Sequence, residues 1–389
     1  MNLRFSLSIT LLVVSLSFII TSCGEDSRTV AEPTPSPTNP TTPEPPTTDL
    51  TELRRKIATN IATNLVIPSY ESLKQEVDNL VAKTEIFNAD PSEENLLATQ
   101  AALKASRLAW QSAAIYMFGP SEEVALRKSL NTYPTDANQI NENIETGEYI
   151  LSSLANQAAV GFPAIEYLLH AETNSEIIGR FTAMSRANNR KQYLIDLVVD
   201  IQNRVDFSLN GWQIEGGNYL TTFTEEEALG VDVGSSLSII VNSIDLHFQR
   251  FVRDGKIAIP AGVRSAGVPR PKAVEVLFGG YSVELLQASV TAYERLFFGI
   301  GTNNIDGESL HDYLIAIDAQ DLANDMATQF ETTRASIALL TDPLGQQIES
   351  DLEQVTAVFI EMQKLVVFIK SDMASLMGIS ITNQDNDGD

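Results

Sequence analysis

From Leu50 onward the apolar positions recur at three- and four-residue spacing. Leu50, Leu53, Ile57, Ile61 and Leu65 share one helical face. Pro68, which has no N–H to donate, predicts a break or kink after them. A second helix is predicted with Asp90 as its cap, Pro91 in the first turn, and Glu93 and Glu94 at the positive end of the dipole. Its stripe of Leu96, Leu103, Trp110 and Met117 keeps seven-residue spacing, the pattern of a packed bundle helix, and Gly119-Pro120 closes it. Helical periodicity continues over 138–159 and 186–209, and the Gly- and Asn-rich stretch 210–223 reads as a crossover. Beyond it, Thr224-x-x-Glu227 predicts a capping box. Leu237, Val241, Ile244, Phe248 and Phe251 form another apolar face ending at Gly255, and 283–298 and 344–377 supply further helices. No run alternates as a strand would. The expected fold class is all-α, as two helical bundles over 50–210 and 218–378.

The N-terminus has a different pattern. Arg4 precedes an apolar stretch, Phe5 to Ile20, of signal-peptide length and short for a membrane span. It runs into Ile20-Thr21-Ser22-Cys23, which resembles a bacterial lipoprotein box. The expectation is a signal over 1–22, a lipidated Cys23, and a Pro- and Thr-rich tether over 23–49 that holds the folded part off a bilayer. Cys23 is the only cysteine, so an intrachain disulfide and a thiolate metal site are both excluded. The acidic tail over 379–389 starts like a calcium loop but stops before the distal glutamate such a loop needs. With 51 acidic and 26 basic side chains the net charge is −25, which repels nucleic acid and anionic headgroups.

Two segments carry the candidate chemistry. In Gly161-Phe162-Pro163-Ala164-Ile165-Glu166-Tyr167-Leu168-Leu169-His170, Glu166 is the one acid among mostly apolar neighbours. It is expected either to be buried against an arginine or backbone amides, or to contact a ligand. Glu166 and His170 share a helical face and could give two metal ligands with Asp136 as a third, short of a complete set by themselves. The second segment runs from Trp110 to Asn143 and contains Phe118-Gly119-Pro120, Leu126-Arg127 and Asn131-x-Tyr133-Pro134-x-Asp136. An Arg127–Asp136 ion pair would order it. A faint repeat relates Gly161-x3-Ile165-Glu166-x-Leu168 to Gly279-x3-Val283-Glu284-x-Leu286 and suggests an internal duplication.

These segments resemble the imelysin family. That family has a similar Trp-Gln helix, a Phe-Gly-Pro end, an Asn-x-Tyr-Pro-x-Asp loop, and a GxHxxE signature. Here Gly161 and Glu166 are kept and Pro163 replaces the histidine. The second half agrees through Ile259-Pro260-Ala261-Gly262, Glu275 and Gly280-Tyr281-Ser282-x-Glu284-Leu285-Leu286. The resemblance covers 50–377. It implies a cleft between two helical halves and a cell-envelope role in iron or haem acquisition. Its peptidase M75 label does not carry over, because Pro163 cannot ligate a metal. The cleft candidates are Glu166, Asp136, Arg127, Tyr133, Arg264, Glu275 and Ser282; Arg264 is expected to pair with the acidic surface, including Glu275, or else to cross towards Glu166, Asp136 or a ligand carboxylate. Ser282 lacks a nucleophile elbow, so it is not read as catalytic.

The function expected is a lipid-anchored, outer-membrane binding protein of the cell envelope, without peptidase activity, on a face the sequence does not specify. Two alternatives stand beside it. One is a metal-dependent peptidase with a rearranged Glu166, His170 and Asp136 site. The other is a docking module for an iron-uptake transporter. No cofactor is specified; iron or another divalent metal is the candidate.

Overall fold

A computed structural model of the chain describes residues 49–382. The leader over 1–22, Cys23 with the tether up to 48, and the acidic tail from 383 lie outside the described residues. The first helical run begins where Asp49 accepts hydrogen bonds from the Thr51 and Glu52 N–H groups. It comprises α1 (Leu50–Asn60), a π-helical stretch (Ile61–Val66) and α2 (Ile67–Ala89). Pro68 therefore does not break the helix. It sits in the first turn of α2, and the carbonyl it cannot serve, that of Asn64, accepts from the Thr302 N–H at 3.2 Å instead.

The next helix, α3 (Glu93–Ala113), is capped by Ser92 rather than Asp90. Ser92 is extended and its hydroxyl accepts from the Asn95 N–H, whereas Asp90 closes α2 and takes the Asn95 side-chain amide. Leu96, Leu103 and Trp110 are buried as the stripe predicts. Short helices α4 (Pro120–Glu123) and α5 (Leu126–Leu130) follow, then α6 (Ala137–Thr146), which stops at Gly147 rather than continuing to 159. After it come α7 (Gly161–His170), α8 (Asn174–Thr182) and the long α9 (Ala187–Trp212).

The expected capping box at Thr224 is absent. Thr224 ends α10 (Tyr219–Thr224) and donates its hydroxyl back to the Leu220 carbonyl. Capping boxes form at Thr173–Glu176 and Ser309–Asp312 instead. The helix α11 (Ser236–His247) runs into a second π-helical stretch (Phe248–Ala258) and passes Gly255. It is followed by α12 (Ser282–Phe298), α13 (Leu310–Ala316), α14 (Gln320–Ile337), α15 (Leu344–Ser350), α16 (Leu352–Val367), a third π-helical stretch (Phe368–Met373) and α17 (Ala374–Leu376). Asp351 interrupts the helix expected over 344–377 and caps α16 through the Gln354 N–H.

Helices α2, α3 and α9 pack together, and α12, α14 and α16 pack against the second π-helical stretch or each other. The contact of α3 with α12 and of α1 with α13 runs across the division expected near 210–218. The described residues form one compact unit. The fold is all-α: among the described residues there is no strand, only an isolated bridge between Ile300 and Asp306. Among them too, no helix is long and apolar enough to cross a membrane.

Candidate functional site

The helix α7 is wedged against α5. Gly161 has φ +76°, and a Cβ there would lie 2.4 Å from the Leu130 carbonyl oxygen, so only glycine fits. Pro163 lies in the first turn, where an N–H would have no acceptor inside the helix. Phe162, Ala164, Ile165, Leu168 and Leu169 are buried, and their packing carries Glu166 inside with them.

Glu166 is 2 % exposed, and both of its oxygens accept hydrogen bonds. Its Oε2 accepts from Arg107 Nη1 at 2.6 Å. Its Oε1 accepts from the Phe278 and Gly279 N–H groups at 2.7 and 3.0 Å. The two echoing segments therefore meet, one supplying a carboxylate and the other, with Phe278 just before it, a pair of amides. Glu284, the counterpart of Glu166 in the repeat, is instead a half-exposed partner of Lys104 at 2.5 Å. The two halves do not carry equivalent chemistry at this position.

Arg107, itself fully buried, also donates Nη2 to the Glu275 carbonyl at 2.8 Å. Burial alone would lower its pKa; the Glu166, Tyr281 and Glu275 charges outweigh that and raise it. The Glu275 carboxylate takes Lys256 on Oε2, and Asn131 Nδ2 at 2.8 Å on Oε1. Burial works to raise its pKa, but Lys256 and Arg107 hold it below the usual carboxylate range. Lys256 also donates to Gln111 Oε1 at 2.9 Å, which Ser289 Oγ reaches at 2.8 Å. Burial lowers the Lys256 pKa against the pull of Glu275. Arg107, Glu166, Glu275, Lys256 and Gln111 thus form a buried, interlinked network pinning α3 and α7 to the 274–280 turn, with Arg107 Nε left without a partner.

Beside this network opens a cavity of about 750 Å³. Its walls come from α3, the 117–134 segment, and the helical run over 246–259. Trp110, Met117, Leu246 and Phe251 supply apolar wall, and Lys256 and Gln111 link it to the network. Arg127 stacks on Phe251, 4.4 Å from the ring centroid. It donates Nη2 weakly to the Ala114 carbonyl at 3.4 Å, while its Nε is shut off from solvent with no partner. Burial brings its pKa down to about 10. His247 shares a 2.5 Å hydrogen bond with the Tyr293 hydroxyl; burial, then the Arg127 and Lys256 charges, pushes its pKa far below the ordinary value. The Tyr133 hydroxyl closes over Gly255, where a Cβ would come within 3.0 Å of it, and burial raises its pKa well above the usual phenol.

The structure divides the sequence candidates into three groups. Arg127 and Tyr133 line the cavity. Glu166 and Glu275 belong to the buried network behind it. Asp136, Arg264, Ser282 and His170 lie elsewhere. Asp136 is an exposed cap of α6, accepting from the Asn138 and Gln139 N–H groups, and makes no ion pair with Arg127. Arg264 meets Asp254 at 3.2 Å, on which Arg253 already forks, so it does not cross to Glu166. The Ser282 hydroxyl closes the 276–282 turn through the Val276 N–H and carbonyl. His170 ends α7, its Nε2 is unpartnered, and burial lowers its pKa.

These residues do not fit a metal centre. Pro163 offers no donor, and both Glu166 oxygens are taken. No group of three or more His, Cys, Asp or Glu among the described residues could hold an ion. Sequence reasoning missed Arg107, Gln111, Lys256, His247 and Phe251 as site residues. Arg107 had a signal: it lies on the apolar stripe between Leu103 and Trp110, where a surface arginine has no place.

Comparison with known proteins agrees with this architecture. A family model described as imelysin, peptidase M75, matches residues 66–365. Iron-regulated protein A of Synechococcus elongatus is 24% identical over 149 residues, a match covering 38% of this chain and 38% of that protein. The solved structure of an imelysin-like protein from Psychrobacter arcticum superposes with a TM-score of 0.67 at 17% identity, covering 86% of this chain and 98% of that one. A structure provisionally assigned as an iron-regulated protein A precursor from Parabacteroides distasonis gives 0.66 at 17% identity, over 84% of this chain and 95% of that one.

Proposed function

Because the chain belongs to the imelysin family, we propose that it is a cell-envelope protein with an iron-related role, anchored through Cys23 to the outer membrane. On this reading it binds a small ligand in the cavity walled by Trp110, Arg127, Tyr133 and Phe251, and it does not hydrolyse peptides. The iron-related role draws on the relative named as iron-regulated protein A. The anchor draws on the apolar leader that ends at Thr21-Ser22-Cys23.

One observation carries the non-hydrolytic reading. Glu166, the glutamate of the family signature, spends both oxygens on Arg107 and two backbone amides at 2.6 to 3.0 Å. A carboxylate so engaged neither ligates a metal nor accepts a proton from water without breaking a buried ion pair, a cost of about 3–5 kcal/mol. Glu166 is then a cross-link that shapes the back of the cavity.

The test is a strain lacking this chain, grown with limiting iron beside its parent and beside the strain restored with the full chain. Lower growth and cell iron, recovered on restoration, are expected. Equal growth and equal cell iron in all three would contradict the iron-related role.

A further inference from the structure

The cavity is charged against the character of the molecule. The chain carries 51 acidic and 26 basic side chains, yet the cavity wall includes Arg127, Lys128, Arg250 and Lys256 against the single acid Glu122. Lys256 is answered by Glu275. Arg127 makes no ion pair among the described residues, and Glu122 acts on it only from beyond ion-pair range. Its neutral contacts are one long bond to a carbonyl and the face of Phe251.

A partly desolvated guanidinium with an unused N–H is costly unless an anion meets it. The guanidinium fork suits a carboxylate, and its stacking on Phe251 fixes the plane in which that fork presents itself. The remaining wall, with Trp110, Met117 and Leu246, favours an apolar or aromatic body, and about 750 Å³ is the size of a small-molecule site.

We propose that the cavity binds a small organic anion, a carboxylate carried on an aromatic or other apolar body, with Arg127 taking the carboxylate. The proposal rests on the reading of this cavity as the ligand site and adds the chemical class of the ligand.

The experiment is calorimetric titration of the purified full chain with 2-naphthoate and with the uncharged 2-naphthamide. Naphthoate is expected to bind roughly tenfold or more tightly than the amide, as a charge-assisted hydrogen bond implies. R127Q should abolish that preference, so that acid and amide bind it alike. R127K, which keeps the charge and loses the fork, should retain part of it. Equal binding of acid and amide, or a preference that survives in R127Q, would overturn the anion claim and leave the cavity as a ligand site. No binding of either probe up to millimolar concentration would overturn the claim together with the reading of the cavity on which it rests. The acid–amide comparison on the parent needs no variant, so it decides the matter even where R127Q fails to fold.

Discussion

Glu166 is held by three donors from two places in the chain, Arg107 and the adjacent Phe278 and Gly279, and that sets what its loss must cost. Glu166→Ala strands Arg107 as an unpaired buried charge. Urea denaturation should show a loss of about 3–5 kcal/mol, and a loss below about 1 kcal/mol would mean that the pair does not cross-link the fold. His247 makes the complementary case for a base. Its folded pKa lies far below the ordinary imidazole value of about 6.5, so the unfolded chain takes up a proton first as pH falls. Its contribution is therefore fully present above that value and is lost progressively as pH drops from about 6.5 towards the folded pKa, by up to about 1.4 kcal/mol per pH unit. His247→Gln should flatten the stability profile below pH 6.5 relative to the parent; an unchanged slope would contradict this assignment. At this scale the sequence was half readable. Glu166 stood out as a lone acid in an apolar run, but its partners lie 59 and 112 or more residues away and only tertiary packing brings them in.

At the scale of elements, apolar periodicity located long helices such as α3, α9 and α12 but passed over α2 and α14, and several caps and breaks were misread. Pro68 could be expected to interrupt a helix because its missing N–H is local information. Thr302, which serves the freed Asn64 carbonyl, is not local. The same loop is tied down by Asn60, whose Nδ2 donates to the Gly299 and Glu308 carbonyls at 2.8 and 3.1 Å while its Oδ1 accepts from Asn64. Asn60→Ala removes these bonds from a buried site. It should cost about 1–3 kcal/mol and speed proteolytic cutting within 301–306, read by limited digestion and mass spectrometry. Cutting at the parental rate would show that the loop is held by something else. Phe251 carries a related lesson. It continued the apolar face of Leu237, Val241, Ile244 and Phe248, yet it is 39% exposed and lies under Arg127. A residue that fits a core stripe but faces a cavity cannot be told from a core residue by spacing alone.

At the scale of the whole molecule, the all-α class followed from the absence of alternating runs, and the described residues bear it out. The placement of function did not follow. The sequence drew attention to the signature glutamate, whereas the structure gives that glutamate to the framework and opens a cationic, partly apolar cavity in front of it. The framework and the cavity share Lys256 and Gln111, so the buried ion pairs set the shape and charge of the cavity wall. The central claim is that this arrangement binds and does not cleave. Its most direct test is to incubate the purified full chain with a mixed peptide library, with and without added zinc, iron or manganese, beside the E166Q variant, and to read cleavage by mass spectrometry. The account predicts that parent and variant are alike and that neither cuts above the metal-only control. Metal-dependent cleavage by the parent that disappears in the variant would contradict it.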